Sequence, residues 1–490
     1  VFGNGMLLSP NIKLLAAFNH LHIFIDPTPD VAAALSERER LFNLPRSTWD
    51  DYNKALISQG GGVFSRQDKA IAISSAMKQA FTIEADSLTP DELIHALLKS
   101  PVDLIWNGGI GTYVKSTQES HADVGDRAND AVRIDGHELQ AKVIGEGGNL
   151  GMTQRGRIEF AQAGGRLYTD AIDNSAGVNC SDHEVNIKIL LDGIVAQGDM
   201  TVKQRNELLA SMTDDVAKLV LRQNYLQPQA IELSAMQATA NLSLQQKFMQ
   251  YLESEERLDR AIEFLPSDEE IARRQKAGQG LTNPELSVLL AYGKMWVYDH
   301  LLESDVPDDG YFIQEMRKYF PTVLSERYFE QMQQNPLHRE IISTYLTNSL
   351  VNRLGIEDIY RMVDELGVSI SSVVKSYSVM RDVFDISQYW QLFEALDNQI
   401  DSQHQLTLEL CLRQDLTQSM YWLIQQFGED FDVTAVSTQL SDGMASLTHQ
   451  TFDNQPRTSY FRDYLDKITT EYSDISLLQS HSATLPVSPQ

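Results

Sequence analysis

The chain has 490 residues, 42% of them hydrophobic, which is apolar content enough for about three globular domains with sizeable cores. Its 68 acidic against 40 basic residues give a formal net charge of -28, a negative far field that argues against nucleic-acid and membrane-surface roles. Two cysteines, Cys180 and Cys411, cannot build a disulfide framework in so long a chain, and no apolar run reaches the roughly 20 residues of a membrane span; a reducing cytoplasm is the expected setting.

In chain order, Gly3-Asn4-Gly5 ahead of Met6 reads as the last part of a glycine-rich phosphate-binding turn, with helix amides and the positive end of the dipole facing a pyrophosphate. By itself the triplet reads more simply as a turn. Leu14–Phe18 is the first predicted strand, and Asn19 follows it, near the place where a dinucleotide fold commonly puts an acid on the ribose hydroxyls. Thr89-Pro90-Asp91-Glu92 is a capping box with proline at the first helical position, backed by Leu93, Leu97 and Leu98 as a buried stripe. That helix should end before Pro101.

Val102–Trp106 is the next predicted strand and opens into Asn107-Gly108-Gly109. Lys142–Ile144 opens into Gly145-Glu146-Gly147-Gly148-Asn149, and Arg166–Thr169 leads to the loop Asp173-Asn174-Ser175-Ala176-Gly177-Val178. A helix start is expected at Ser181, where Ser181-Asp182-His183-Glu184 spells a second capping box. The strand–helix rhythm over residues 1–191 predicts a parallel sheet.

Past Leu191 the apolar positions recur at helical spacing: Leu208, Met212, Val216, Leu219 and Val220, then Ile342, Tyr345, Leu346, Ser349, Leu350 and Leu354, with Gly355 as a C-terminal cap. Asn283-Pro284-Glu285 marks another helix start. The fold class expected is α/β: an incomplete doubly wound, Rossmann-like parallel sheet over 1–191, followed by an all-helical C-terminal domain over 192–472. The tail 473–490 has too little apolar content to stay ordered.

Two successive strand ends opening into glycine and asparagine loops are how an α/β sheet presents amides to a nucleotide at its carboxyl edge. The pair Gly145–Asn149 and Asp173–Val178 resembles the glutamate dehydrogenase superfamily, whose members carry an Ala-Glu-Gly-Ala-Asn strand end followed by an Asn-Ala-Gly-Gly-Val loop. Val1-Phe2-Gly3-Asn4-Gly5-Met6, the block Leu104–Thr112 and the acidic helical remainder extend the likeness to the large, NAD-specific bacterial members. The resemblance covers essentially the whole chain.

It implies an oxidoreductase with NAD as cofactor, oxidising L-glutamate to 2-oxoglutarate and ammonia by hydride transfer. A cytoplasmic homo-oligomer is implied, with neither nucleic acid nor membrane as partner and no metal. It also implies that a first strand and a lysine-bearing domain lie upstream of Val1. The catalytic lysine and acid are then expected outside this chain, and the chain alone is expected to be inactive.

The same resemblance assigns residues. Gly3, Asn4 and Gly5 would face the pyrophosphate and Asn19 the ribose, although an amide there does not repel the extra phosphate of NADP. Asn107 and Gly108 would lie beside the ribose; the competing reading is a tight turn. Gly147, Gly148, Asn149 and Asn174 would hold the nicotinamide ribose and carboxamide, because a carboxamide needs a partner offering both donor and acceptor. The competing reading is that each asparagine only stabilises its own turn, and the two loops in the family's order favour the carboxamide role over it. Glu146 is read as a loop organiser, and Val178 and Ser181 as lining the substrate, Ser181 on its γ-carboxylate. Rival functions are a leucine- or phenylalanine-type amino-acid dehydrogenase, or a regulatory or assembly role for the helical part.

Overall fold

The computed structural model describes residues 5–447. The chain divides into two compact units, Val1–Ser175 with Thr282–Glu285, and Ala176–Leu281 with Leu286–Gln490. Gly3 and Asn4 lie outside the described residues, as does the expected tail 473–490.

The first unit is an α/β body of short strands. Ala16–Phe18 pairs antiparallel with His22–Ile25, which pairs antiparallel with Gly62–Ser65. The parallel partner expected for Leu14–Phe18 is therefore replaced by a hairpin, and Asn19 is the cause. Its Oδ1 accepts the amides of Leu21 and His22, each at 2.8 Å, while its own N–H reaches the His22 carbonyl at 3.0 Å. A side-chain turn of this kind reverses the chain at once.

Parallel pairing occurs further along. Leu104–Asn107 pairs with Val143–Glu146, Leu104 opposite Val143 and Asn107 opposite Glu146; Val114–Lys115 pairs with Ile134–Asp135. Arg166 makes an isolated parallel bridge to Val143, and Thr169 precedes the short helix Asp170–Asp173 instead of ending a strand. The helix Pro90–Leu98 forms as its sequence requires: Thr89 Oγ1 accepts the Glu92 amide and Glu92 Oε2 accepts the Thr89 amide at 2.8 Å. Leu93, Leu97 and Leu98 are buried with Ile23, Phe81 and Ile144 in one core, each leucine contributing about 1.5–3 kcal/mol.

The second unit is helical. The predicted series from Leu208 to Val220 is shared between Val202–Ser211 and Thr213–Met236, with Met212 at the joint. Asn283–Glu303 begins where Asn283-Pro284-Glu285 placed it. No helix among the described residues is long and apolar enough to cross a membrane.

A further expectation is corrected. Ser181 does not start a helix: Ser175–Gln197 is continuous, and Ser181 Oγ donates back to the Gly177 carbonyl at 3.2 Å. Nothing between Ser175 and Ser181 breaks a helix, since an internal glycine costs only about 1 kcal/mol, and Glu184 pairs with Lys188 four residues on. The capping box is never formed, and the helix runs through the expected domain boundary at Leu191. Gly355 does end the helix that begins at His338: it lies at φ 69°, ψ 160°, and within His338–Leu366 two helices meet across the kink it makes.

At Gly355 a Cβ would stand 2.6 Å from Arg413 Nη2, and Arg413 is fixed by Asp358 at 2.6 Å and Glu357 at 3.8 Å. Gly367, the C-cap of the same helix, has φ 67° but open space where a Cβ would go. Gly355→Ala is therefore expected to cost at least about 3 kcal/mol, from backbone strain and overpacking together. Gly367→Ala should cost only about 1–2 kcal/mol. Denaturant melts of the two variants give the comparison, and equal losses would refute the account of the kink.

Candidate functional site

The register of the parallel ladder decides where the loops go. Asn107 lies opposite Glu146, so the two strands end level and their loops leave from one carboxyl edge. The loops then pack on each other. The Gly148 amide donates to the Asn107 carbonyl at 3.0 Å, and Asn107 Oδ1 accepts the Gly109 amide at 3.2 Å. A Cβ on Gly147 would stand 2.5 Å from the Trp106 ring, and one on Gly148 would stand 2.3 Å from the Gly109 carbonyl oxygen. Both positions need glycine because backbone and indole approach too closely for any side chain. Gly108 is exposed in the facing loop.

Asn174, the C-cap of Asp170–Asp173, closes over this pair of loops. Its Nδ2 donates to the Gly148 carbonyl at 3.1 Å and to Asn149 Oδ1 at 2.6 Å. Among the described residues, this leaves Asn149 Nδ2 as a donor and Asn174 Oδ1 as an acceptor with no protein partner. One donor and one acceptor side by side, the first on an exposed residue and the second on a half-buried one, complement a primary carboxamide.

Beneath the loops lies a charge network that the sequence reading missed. Glu146, 1% exposed, receives Arg157 in bidentate fashion, Nε to Oε1 at 2.6 Å and Nη2 to Oε2 at 3.0 Å. Arg157 also pairs with Asp170 at 3.2 Å. Each carboxylate takes a backbone amide of the site: Glu146 that of Met152 at 3.2 Å, Asp170 that of Leu150 at 2.8 Å, and Asp173 that of Glu146 at 2.8 Å. Glu146 is thus tied to the loop at both ends, the geometry of an organiser.

Three acids around one guanidinium cannot all ionise freely. Burial, with the Glu146 and Asp170 charges adding to it, pushes the Asp173 carboxyl up to about 7, although the Glu146 amide and Arg157 oppose the rise. Burial also raises Glu146 against the pull of Arg157. Arg157 itself is held charged: burial opposes this most strongly, but the bond to Glu146 and the charges of Glu146, Asp170 and Asp173 together outweigh it. The signal for this network lies in the sequence Asp170-Ala171-Ile172-Asp173 just before Asn174, two acids one helical turn apart that call for a cation.

The remaining predicted residues are placed as follows. Gly5 opens the 3-10 turn Gly5–Leu8. Asn19 is at a hairpin between antiparallel strands, with its carbonyl oxygen spent on the turn. Val178, 73% exposed, and Ser181 lie on the helix Ser175–Gln197 in the second unit. The structure therefore links Asn107, Gly148, Asn149 and Asn174 by hydrogen bonds, with Gly147 against Trp106, while Asn19 closes a hairpin between antiparallel strands.

Residues 1–234 match the family described as bacterial NAD-glutamate dehydrogenase, catalytic domain, and residues 278–458 match glutamate dehydrogenase, C-terminal. The chain is 52% identical to the NAD-specific glutamate dehydrogenase of Halomonas elongata over 426 residues, covering 87% of this chain and 26% of that protein. It is 52% identical to that of Pseudomonas aeruginosa over 447 residues and 45% identical to that of Mycobacterium tuberculosis over 454. In both cases 91% of this chain and 28% of the relative are covered. The chain thus spans about a quarter of the length of the relatives it matches. On these matches, and with its strand-end glycine and asparagine loops, this chain belongs to the bacterial NAD-glutamate dehydrogenase family.

Proposed function

We propose that this chain is the coenzyme-holding part of an enzyme that converts L-glutamate, NAD and water to 2-oxoglutarate, ammonia and NADH. The observation that carries the reading is the asparagine pair. Asn149 Nδ2 would donate to the carboxamide oxygen of the nicotinamide, and Asn174 Oδ1 would accept from its amino group. The bound nicotinamide supplies the hydride acceptor for the α-carbon of glutamate.

The residues of this chain supply placement. A carboxamide gripped at both ends cannot spin about its ring bond, so one ring face is kept toward the substrate, and such orientation is worth several kcal/mol in a hydride transfer. Asn107 and Gly108 are assigned to the ribose, Gly147 and Gly148 to the floor under it, and Gly3, Asn4 and Gly5 to the pyrophosphate. The Leu104–Asn107 and Val143–Glu146 ladder supports reading the first unit as Rossmann-like, since its loops leave a parallel carboxyl edge. The catalytic lysine and acid belong to another part of the intact protein. A cytoplasmic homo-oligomer, with the helical unit serving assembly or regulation, completes the proposal.

Val178 and Ser181 are assigned to the substrate side chain. Ser181 Oγ is already committed to the Gly177 carbonyl, so serving a γ-carboxylate requires its hydroxyl to turn away from the helix. The gain for glutamate is correspondingly modest, about tenfold, the order of one charge-assisted hydrogen bond less one neutral bond.

In the intact enzyme, Asn174→Ala is expected to lower turnover by an order of magnitude or more through a misplaced ring; an unchanged rate would reduce Asn174 to a turn residue. Ser181→Ala should lower kcat/KM for glutamate about tenfold and leave that for leucine unchanged. Equal effects on both substrates would remove Ser181 from the γ-carboxylate.

A further inference from the structure

We propose that Asp173 is a positioning residue that makes the site's preference between oxidised and reduced coenzyme depend on pH, because it is bonded to the Glu146 backbone amide beside the Arg157–Glu146–Asp170 ion pairs, beneath the two asparagine loops. The inference rests on the reading of Asn149 and Asn174 as carboxamide partners, and it adds to that reading a regulation of the same site.

The argument is one of place and charge. Asp173 Oδ2 accepts the backbone amide of Glu146 at 2.8 Å, so it is bonded to the strand end from which Gly147, Gly148 and Asn149 depart. It also directly precedes Asn174, whose side chain spans Gly148 and Asn149. The charged groups acting on it come from each surrounding element: Glu146 from the strand Val143–Glu146, Arg157 from the helix Gln154–Gln162, and Asp170 from its own short helix. Arg157 makes its ion pairs with Glu146 and Asp170. Asp173 is therefore a third carboxylate beside a cation already paired twice, and burial, with the Glu146 and Asp170 charges adding to it, raises its carboxyl to about 7, so that it gains or loses its proton near neutral pH.

Ionising Asp173 does two things. It strengthens the bond to the Glu146 amide, since a charged acceptor holds an N–H more tightly than a neutral one. It also adds a negative charge under the place assigned to the nicotinamide. The oxidised ring is cationic and the reduced ring is neutral, so the added charge favours the oxidised coenzyme selectively. For two unit charges several ångströms apart behind partial solvent screening, the preference is about three- to tenfold.

The sign for folding follows from the same shift. An acid whose carboxyl is raised from 3.8 to about 7 holds its proton in the folded state where the unfolded chain has lost it. Stability should then fall as pH rises from about 4 to 7 and level off above, and Asp173→Asn should remove that slope.

The test is titration of the intact protein with NAD and with NADH at pH 6, 7 and 8, giving the ratio of the two dissociation constants without any turnover. The ratio Kd(NADH)/Kd(NAD) is expected to rise about three- to tenfold from pH 6 to pH 8 in the wild type. It should stay flat in Asp173→Asn, whose amide oxygen can still accept the Glu146 N–H, and be restored in Asp173→Glu. A variant Asp173→Asn that keeps the wild-type pH dependence overturns the inference while leaving the coenzyme reading intact. A wild-type ratio that does not move between pH 6 and 8 overturns it too, with no variant needed. Failure of the wild type to bind either coenzyme would instead sink the reading of the asparagine pair, and this inference with it.

Discussion

Everything at the parallel carboxyl edge depends on one buried cation. Arg157 reaches Glu146 through two nitrogens and Asp170 through one, and those carboxylates hold the amides of Met152 and Leu150. The chain from Glu146 to Met152 is thus tethered from below at several points while its upper side stays open. A buried pair of this kind adds little net stability over an apolar substitute, but removing one partner strands a charge at a cost of about 3–5 kcal/mol. Its use is to permit a single loop conformation. That is what a site needs when an oriented ring, and not binding strength alone, sets the rate.

The second unit applies the same device to helix packing. Arg413 lies against Gly355 and pairs with Asp358; Arg381 pairs with Glu315 at 2.7 Å and Asp382 at 2.6 Å; Arg353 pairs with Glu394 at 2.8 Å and stands over the Trp390 ring at 4.5 Å. Apolar faces alone would let long helices slide by a turn at small cost. Charges that must each find a particular partner remove that freedom. The kink at Gly355 belongs to this logic, because only a residue without a side chain lets the guanidinium reach the helix it fixes.

What could be read from the sequence follows the range of the forces involved. Thr89 with Glu92, and Asn283 with Pro284, announce helix starts through contacts three residues apart, and the structure forms both helices. Ser181 with Glu184 carries the same local signal, yet the helix begins earlier, at Ser175, and Glu184 reaches forward to Lys188. The strand before Asn19 differs in its pairing, antiparallel where a parallel partner was expected. A strand followed by a polar residue looks the same whether the chain goes on to a helix or turns back, and the turn was decided by which amides its side chain accepts. The glycines of the loops were legible as glycines, but their reason was not: the indole of Trp106 and the backbone of Gly109 arrive from a strand some forty residues earlier.

The asparagine pair lies between these cases. Each residue alone also admits a local turn, and the bond between them adds what neither turn explains. With Asn174 Nδ2 spent on Gly148 and Asn149, the pair satisfies half of its own hydrogen-bonding capacity and turns the complementary half outward. Asn107, by contrast, spends its side-chain oxygen on the Gly109 amide within its own turn. Two amides from different segments that share one bond and leave one donor and one acceptor free are arranged for a third amide, and the exposed position of Asn149 leaves the way open for it. The buried charges below and the open hydrogen bonds above are two sides of one arrangement, since a grip of two light contacts is selective only if the backbone beneath it cannot yield.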